Sequence, residues 1–257
     1  MSLVPARDAY PWRLRLVHEG LRALTFERPG RFLRVDPIGG IAPDDIILLT
    51  GGWPEQVDAT VAAVRAGRRP TVIAAPELLA YLGGMGALDG FPGPVSLDGL
   101  TLELAEAVEP RSGVAARAAA AALSPGRALL RLGRGAKIPR STPRCFRLTL
   151  PDGGALVYLN TALSAEAPAA WVDAMVARWG GAEWLLVGME PEQEAAIEQL
   201  VPRFGAKHVI LTDLVSEIRR GLRLPVGLLT PAADRLVSRG VAAQVFVSGA
   251  GLRYERV

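Results

Sequence analysis

The stretch IILLTGGWPEQVDAT, residues 46–60, constrains this chain more than any other. Its first four residues are apolar without alternation, the pattern of a β-strand covered on both faces. Such a strand lies inside a sheet with a layer packed on each side, so an all-helical fold is excluded. Two glycines follow, and then a helical pattern runs through Val57, Val61 and Val64. A strand that ends in glycines and opens a helix is where α/β proteins place chemistry. Yet the turn from Thr50 to Gln56 carries no His, Cys, Ser or Lys.

Around this unit the pattern predicts strands at residues 12–17, 21–27, 32–35, 71–74, 95–97, 100–107, 145–150, 155–159, 184–187, 209–211, 245–247 and 252–254. It predicts helices at 55–66, 76–82, 115–123, 168–179, 191–204 and about 230–239. Pro29-Gly30, Asp98-Gly99 and the Pro-Asp-Gly-Gly of residues 151–154 are hairpin signals. Hairpins join antiparallel strands, so a single doubly wound parallel sheet does not account for them. The order is a β-meander with a helix pair, then a second β-meander with helices, and no polar linker separates the halves. One α/β (α+β) domain over residues 1–257 is expected, two sheets face to face with helices outside, a four-layer αββα sandwich.

Half of the 257 residues are hydrophobic and 21% are charged, enough to bury a large core. No apolar run approaches the roughly 18–20 residues that span a bilayer, so no membrane partner is expected. The opening MSLVPARDAYPWRLRL lacks an apolar stretch followed by a small-residue cleavage site. The single Cys145 excludes an internal disulfide framework and a Cys-rich zinc site. A cytoplasmic location is expected, and the oligomeric state, a homo-oligomer included, is left open.

Charge is distributed unevenly. Arg111, Arg117, Arg127, Arg131, Arg134, Lys137, Arg140, Arg144 and Arg147 follow one another with no Asp or Glu among them, in a chain whose formal net charge is only +3. One basic segment, at about residues 111–144, therefore sits on a net acidic body. Arg127, Arg131, Arg134, Lys137, Arg140 and Arg144 are candidate residues for an anionic ligand or an acidic protein partner. The plain alternative is a solvated loop. No aromatic residue lies between Arg111 and Arg144, so base stacking, and a nucleic-acid partner with it, is not supported. Neither G-x-x-x-x-G-K-[ST] nor a strand-linked G-x-G-x-x-G is present.

Six short motifs fall in a familiar order: LVHEG at residues 16–20, RVDP at 34–37, PDDIILLT at 43–50, TVIAAPELLAYL at 71–82, LVYLNT at 156–161 and HVILTDL at 208–214. Together they resemble the metallo-β-lactamase fold superfamily, in particular its branch of small cytoplasmic metal-dependent hydrolases, over nearly the whole chain. The resemblance implies the αββα sandwich, a metal centre built on H-x-H-x-D-H after the fourth strand, and a shorter loop where this chain has its basic segment, which is thus an insertion at about residues 111–144. That motif aligns with Gly51-Gly52-Trp53-Pro54-Glu55-Gln56, so Gly51, Trp53, Glu55 and Gln56 stand at the four ligand positions. The bridging Asp of the family aligns with Asn160 and its last His with Asp213. The only histidines are His18, near but not among the family's ligands, and His208.

A catalytic zinc takes about three imidazole or carboxylate ligands and a water. Gly51 offers no side chain, Trp53 only an N–H donor, and Gln56 and Asn160 neutral amides. Glu55 and Asp213 alone remain ionised, enough for a loosely held Mg²⁺ or Mn²⁺ but not for two zinc ions. The expectation is a vestigial cleft of His18, Gly51, Trp53, Glu55, Gln56, Asn160 and Asp213, with no metal, no cofactor and Trp53 plugging the emptied volume. The chain then acts as a binding, regulatory or assembly module. The alternative is a divergent hydrolase of phosphodiesters, lactones or esters with a single-metal or metal-free site. Glu55 also suits a helix N-terminus without any function, and Cys145 reads as a small buried residue rather than a nucleophile.

Overall fold

The computed structural model describes residues 15–20, 23–28, 31–97, 99–107, 137–139, 141–151, 153–159, 169–188, 194–212, 229–241, 244–247 and 253–255. The expected helix at 115–123 lies outside them. The first half runs β1 (Arg15–Gly20), β2 (Ala23–Arg28), β3 (Arg31–Val35), β4 (Ile46–Leu48), α1 (Pro54–Arg65), β5 (Thr71–Ile73), α2 (Pro76–Gly83) and β6 (Asp89–Phe91). The second half runs β7 (Val95–Leu97), β8 (Leu100–Glu106), β9 (Arg144–Thr149), β10 (Ala155–Tyr158), α3 (Ala169–Trp179) and β11 (Trp184–Gly188). It ends with α4 (Glu194–Phe204), β12 (His208–Thr212), α5 (Leu229–Ser238), β13 (Gln244–Val247) and β14 (Arg253–Glu255).

The strands form two seven-stranded sheets, β14-β1-β2-β3-β4-β5-β6 and β13-β12-β11-β10-β9-β8-β7. The last strand returns to the first sheet beside β1. The period-2 alternation of a strand explains why β4 reads as one apolar run. Ile46 and Leu48 face the inter-sheet core with Leu33, Val35, Phe146 and Tyr158. Ile47 and Leu49 belong to the outer core with Val57, Leu78 and Leu82 of α1 and α2. The second sheet divides likewise. Leu156, Leu186 and Ile210 turn inward, whereas Val157, Leu185 and Leu211 join Trp179, Ile197 and Leu236 of the three later helices. Four layers in the order αββα result.

The expectation of two β-meanders is corrected. In each sheet half of the pairings are parallel, β3 to β6 in one and β10 to β13 in the other. Parallel neighbours need a crossover; a helix supplies it in every case but β3 to β4, where the loop of residues 36–45 does. Strand β6 was not anticipated, because Asp-Gly-Phe carries no apolar period and is exposed along its length. The first strand continues past its expected end at Val17 to Gly20, with His18 opposite Leu24 and a register shift before Gly20; residues 12–14 lie outside the described residues. Among the described residues no helix is long and apolar enough to cross a membrane.

Phe146 is fully buried between the sheets, edge-on to Phe26 at 6.4 Å between ring centroids and tilted against Tyr158 at 4.9 Å. Phe146→Ala removes this cross-sheet contact and leaves a cavity. It lowers stability by about 3–5 kcal/mol, read as a shift in the denaturant midpoint at constant m-value.

Candidate functional site

Parallel strands place their carboxyl ends on one edge, and there the chain leaves β3 at Asp36 and β4 at Thr50. The second sheet meets the first at this edge. The Arg144 N–H, at the start of β9, donates to the Thr50 carbonyl at 2.8 Å. Because β9 runs antiparallel to β10, Arg144 stands at the carboxyl end of β10. The candidate site therefore lies where the carboxyl edges of both sheets converge on the glycine turn.

The turn is organised around one buried carboxylate. Asp36 is 1% exposed and has a left-handed backbone with φ of 44°, a region Asp enters more readily than most side chains. Its Oδ1 accepts the Thr50 N–H at 2.7 Å. Its Oδ2 accepts the Thr50 hydroxyl and the Gln56 Nε2 amide, the latter at 2.8 Å. Gln56, fully buried, also donates to Thr50 Oγ1 at 3.1 Å. Its Oε1 accepts the Trp53 N–H at 3.1 Å, so it serves as the N3 partner that caps α1 from inside. A buried carboxylate is tolerable when several donors converge on it, and here they come from the end of β4 and the first turn of α1.

This network explains Gly51. A Cβ on Gly51 would stand 2.6 Å from Gln56 Oε1. The Gln56 amide thus occupies the volume that a side chain at 51 would need. Trp53 was expected as the plug, but it is half-buried at the helix cap; beside Gly51 the filler is Gln56. Of the remaining expected residues, His18 lies in β1 and Glu55 is the second residue of α1, with side chains outside the described part. Asn160 and Asp213 lie outside the described residues, as do Arg127, Arg131, Arg134 and Arg140. Lys137 is exposed. Arg144 belongs to β9 rather than to a basic loop, and its guanidinium donates to the Pro92 carbonyl at 2.9 Å.

Asp36 and Thr50 were absent from the expected cleft. Their sequence signal is modest: an Asp-Pro that ends one apolar strand and a Thr that ends the next. The described side chains at the family's ligand positions do not fit a zinc donor set. Gly51 has none, Trp53 offers an indole N–H, and each Gln56 amide atom is already hydrogen-bonded within the turn. Among the described residues no group of three His, Cys, Asp or Glu side chains gathers to hold a metal.

Cys145 is fully buried behind this edge and its thiol donates to the Leu159 carbonyl at 3.2 Å. Burial alone pushes the thiol pKa far up. It is therefore a protonated core residue, not a nucleophile.

Two outcomes follow from this geometry. Gln56→Ala strips a donor from buried Asp36 and lowers stability by about 1–3 kcal/mol. Gly51→Ala is costly beside Gln56 but nearly neutral in the Gln56→Ala background, where the methyl meets no amide. Urea unfolding of the four proteins tests this, and an equal cost of Gly51→Ala in both backgrounds would contradict it. Cys145 stays unreactive to a thiol reagent at about pH 8.5 while the protein is folded and reacts once unfolded. Its folded pKa lies above the unfolded one. Its contribution to stability is therefore complete below the ordinary thiol value of 9.0 and falls as pH rises past it, measured by unfolding across that range.

No protein-family profile matches the chain, and no curated protein matches it. Solved structures do. A candidate metal-dependent hydrolase from Parabacteroides distasonis shares 14% identity over 90% of this chain and 91% of its own, with a TM-score of 0.56. A second, from Veillonella parvula, shares 9% identity over 96% and 99% of the two chains, also with a TM-score of 0.56. A Cronobacter sakazakii metallo-β-lactamase with a HARLDQ motif aligns at 14% identity over 90% of this chain and 88% of its own, with a TM-score of 0.38. The likeness to the Parabacteroides and Veillonella proteins shows that this chain shares its overall fold with those two candidate metal-dependent hydrolases.

Proposed function

We propose that this chain is a metallo-β-lactamase-fold protein in which an amide strut stands where hydrolases of the fold hold metal. On this reading it serves as a binding, regulatory or assembly module and not as a hydrolase. The observation that carries the reading is Gln56. Its amide fills the side-chain volume of Gly51 and closes on Asp36 and Thr50. Two of the four ligand positions are thereby used against each other, one emptied and the other folded into the gap. A water-filled cleft with imidazoles around it becomes a closed polar knot. Such a knot does for the turn what a bound cation does elsewhere: it holds the ends of two strands and a helix together through charge-assisted hydrogen bonds.

The run of nine cations without an acid supports an anionic ligand or an acidic protein surface as the partner. The protein is read as cytoplasmic, without cofactor or membrane partner.

Metal content tests the reading most directly. The full chain, purified without chelator and dialysed, retains only a small fraction of an equivalent of zinc, iron or manganese by elemental analysis. One or more equivalents held through dialysis would overturn it.

A further inference from the structure

The chain returning from the basic insertion crosses the glycine turn. Ile138 is buried in the outer core that also contains Ile41, Leu49 and Val57. A Cβ on Gly52 would come within 2.7 Å of the Pro139 carbonyl oxygen and 3.1 Å of Ser141 Oγ. The backbone of the returning segment thus passes directly over Gly52. Beyond it, the Ala107 N–H donates to the Pro143 carbonyl at 2.7 Å and the Arg144 N–H to the Thr50 carbonyl at 2.8 Å. An apolar anchor, a backbone close approach and two main-chain hydrogen bonds pin one segment across the glycine turn.

We infer that residues 137–139 and 141–143 form a strap laid over Gly52, and that the strap and the glycine turn open together as one local unit. The inference does not rest on the loss of metal, since the strap crosses the turn whatever the turn holds. Gly52 is glycine for this reason. Its neighbour at 2.7 Å is a backbone carbonyl, which cannot rotate aside as the end of a side chain can. The seat also has a weak point. Ser141 Oγ is buried with no hydrogen-bond partner among the described residues, and a desolvated, unsatisfied hydroxyl disfavours the closed state. The strap is therefore a natural first segment to open locally, ahead of the strands beneath it. It is also the stem by which the basic insertion joins the fold, since Lys137 immediately precedes the Ile138 anchor.

Hydrogen exchange by mass spectrometry on the full chain tests this. Ile138→Ala pulls the anchor and speeds exchange roughly tenfold in peptides covering 137–143 and, together with them, in those covering 50–53. Exchange in β8 and β10 stays at the parent rate. Ser141→Ala relieves the unsatisfied hydroxyl and slows both segments together. Gly52→Ala, which leaves the anchor intact, raises both together and serves if Ile138→Ala does not fold. The proposal is overturned if any of these folded variants changes 137–143 while 50–53 is unmoved, or if 137–143 exchanges in the parent protein at unstructured rates.

Discussion

A single buried carboxylate organises the carboxyl edge of the first sheet. Asp36 sits at the end of β3 and takes its hydrogen bonds from Thr50, at the end of β4, and Gln56, in the first turn of α1. Charge buried in an apolar surround is tolerated only when donors converge on it, so the positions of those donors are not independent. For the buried Asp36 carboxyl to keep its hydrogen-bond partners, Thr50 must follow β4 directly and Gln56 must fold back beneath the turn. That inward fold fills the space at residue 51 and requires glycine there. The identity of four residues separated by up to twenty positions is thus one constraint seen from several sides.

The same edge joins the two halves of the molecule. Each sheet is antiparallel on one side and parallel on the other, and the parallel strands of both point their carboxyl ends toward the glycine turn. Phe146 and Tyr158 on the second sheet pack against Phe26 and the first sheet, and the Arg144–Thr50 main-chain bond closes the rim. Apolar packing decides that the sheets stack; a few polar contacts at the rim decide how the turn is dressed. The last residues of the basic segment add a further layer there, with Ile138 as their apolar foot.

Much of this architecture is legible in the chain. Unbroken apolar runs at 46–49, 155–159 and 184–187 mark strands covered on both faces, and their two faces do divide between the inner and outer cores. Strand direction is less legible. A short apolar strand reads the same whether its neighbour is parallel or antiparallel, and only the helix between two strands hints at a crossover. Strand β6 escapes for a different reason: Asp-Gly-Phe pairs through its backbone at a sheet edge and has no side-chain pattern to detect. At the site, the absence of imidazole from the glycine turn is visible in the residues themselves. The role of Asp36 is not, because an Asp before a Pro reads first as a chain breaker.

By itself the sequence determined that the chain is a layered α/β protein, that its fourth strand ends in a glycine turn opening a helix, and that this turn lacks imidazole. Those properties are local: periodicity, side-chain chemistry and the conformational limits of Gly and Pro act over a few residues. Only the tertiary structure decided why the turn has glycine twice. Gly51 makes room for an amide five residues along the chain, and Gly52 makes room for a carbonyl from Pro139 in the other half of the fold. The first contact closes when β3, β4 and α1 come together within one sheet layer and the second only when the later segment is laid over it; neither leaves a periodicity for a sequence to display.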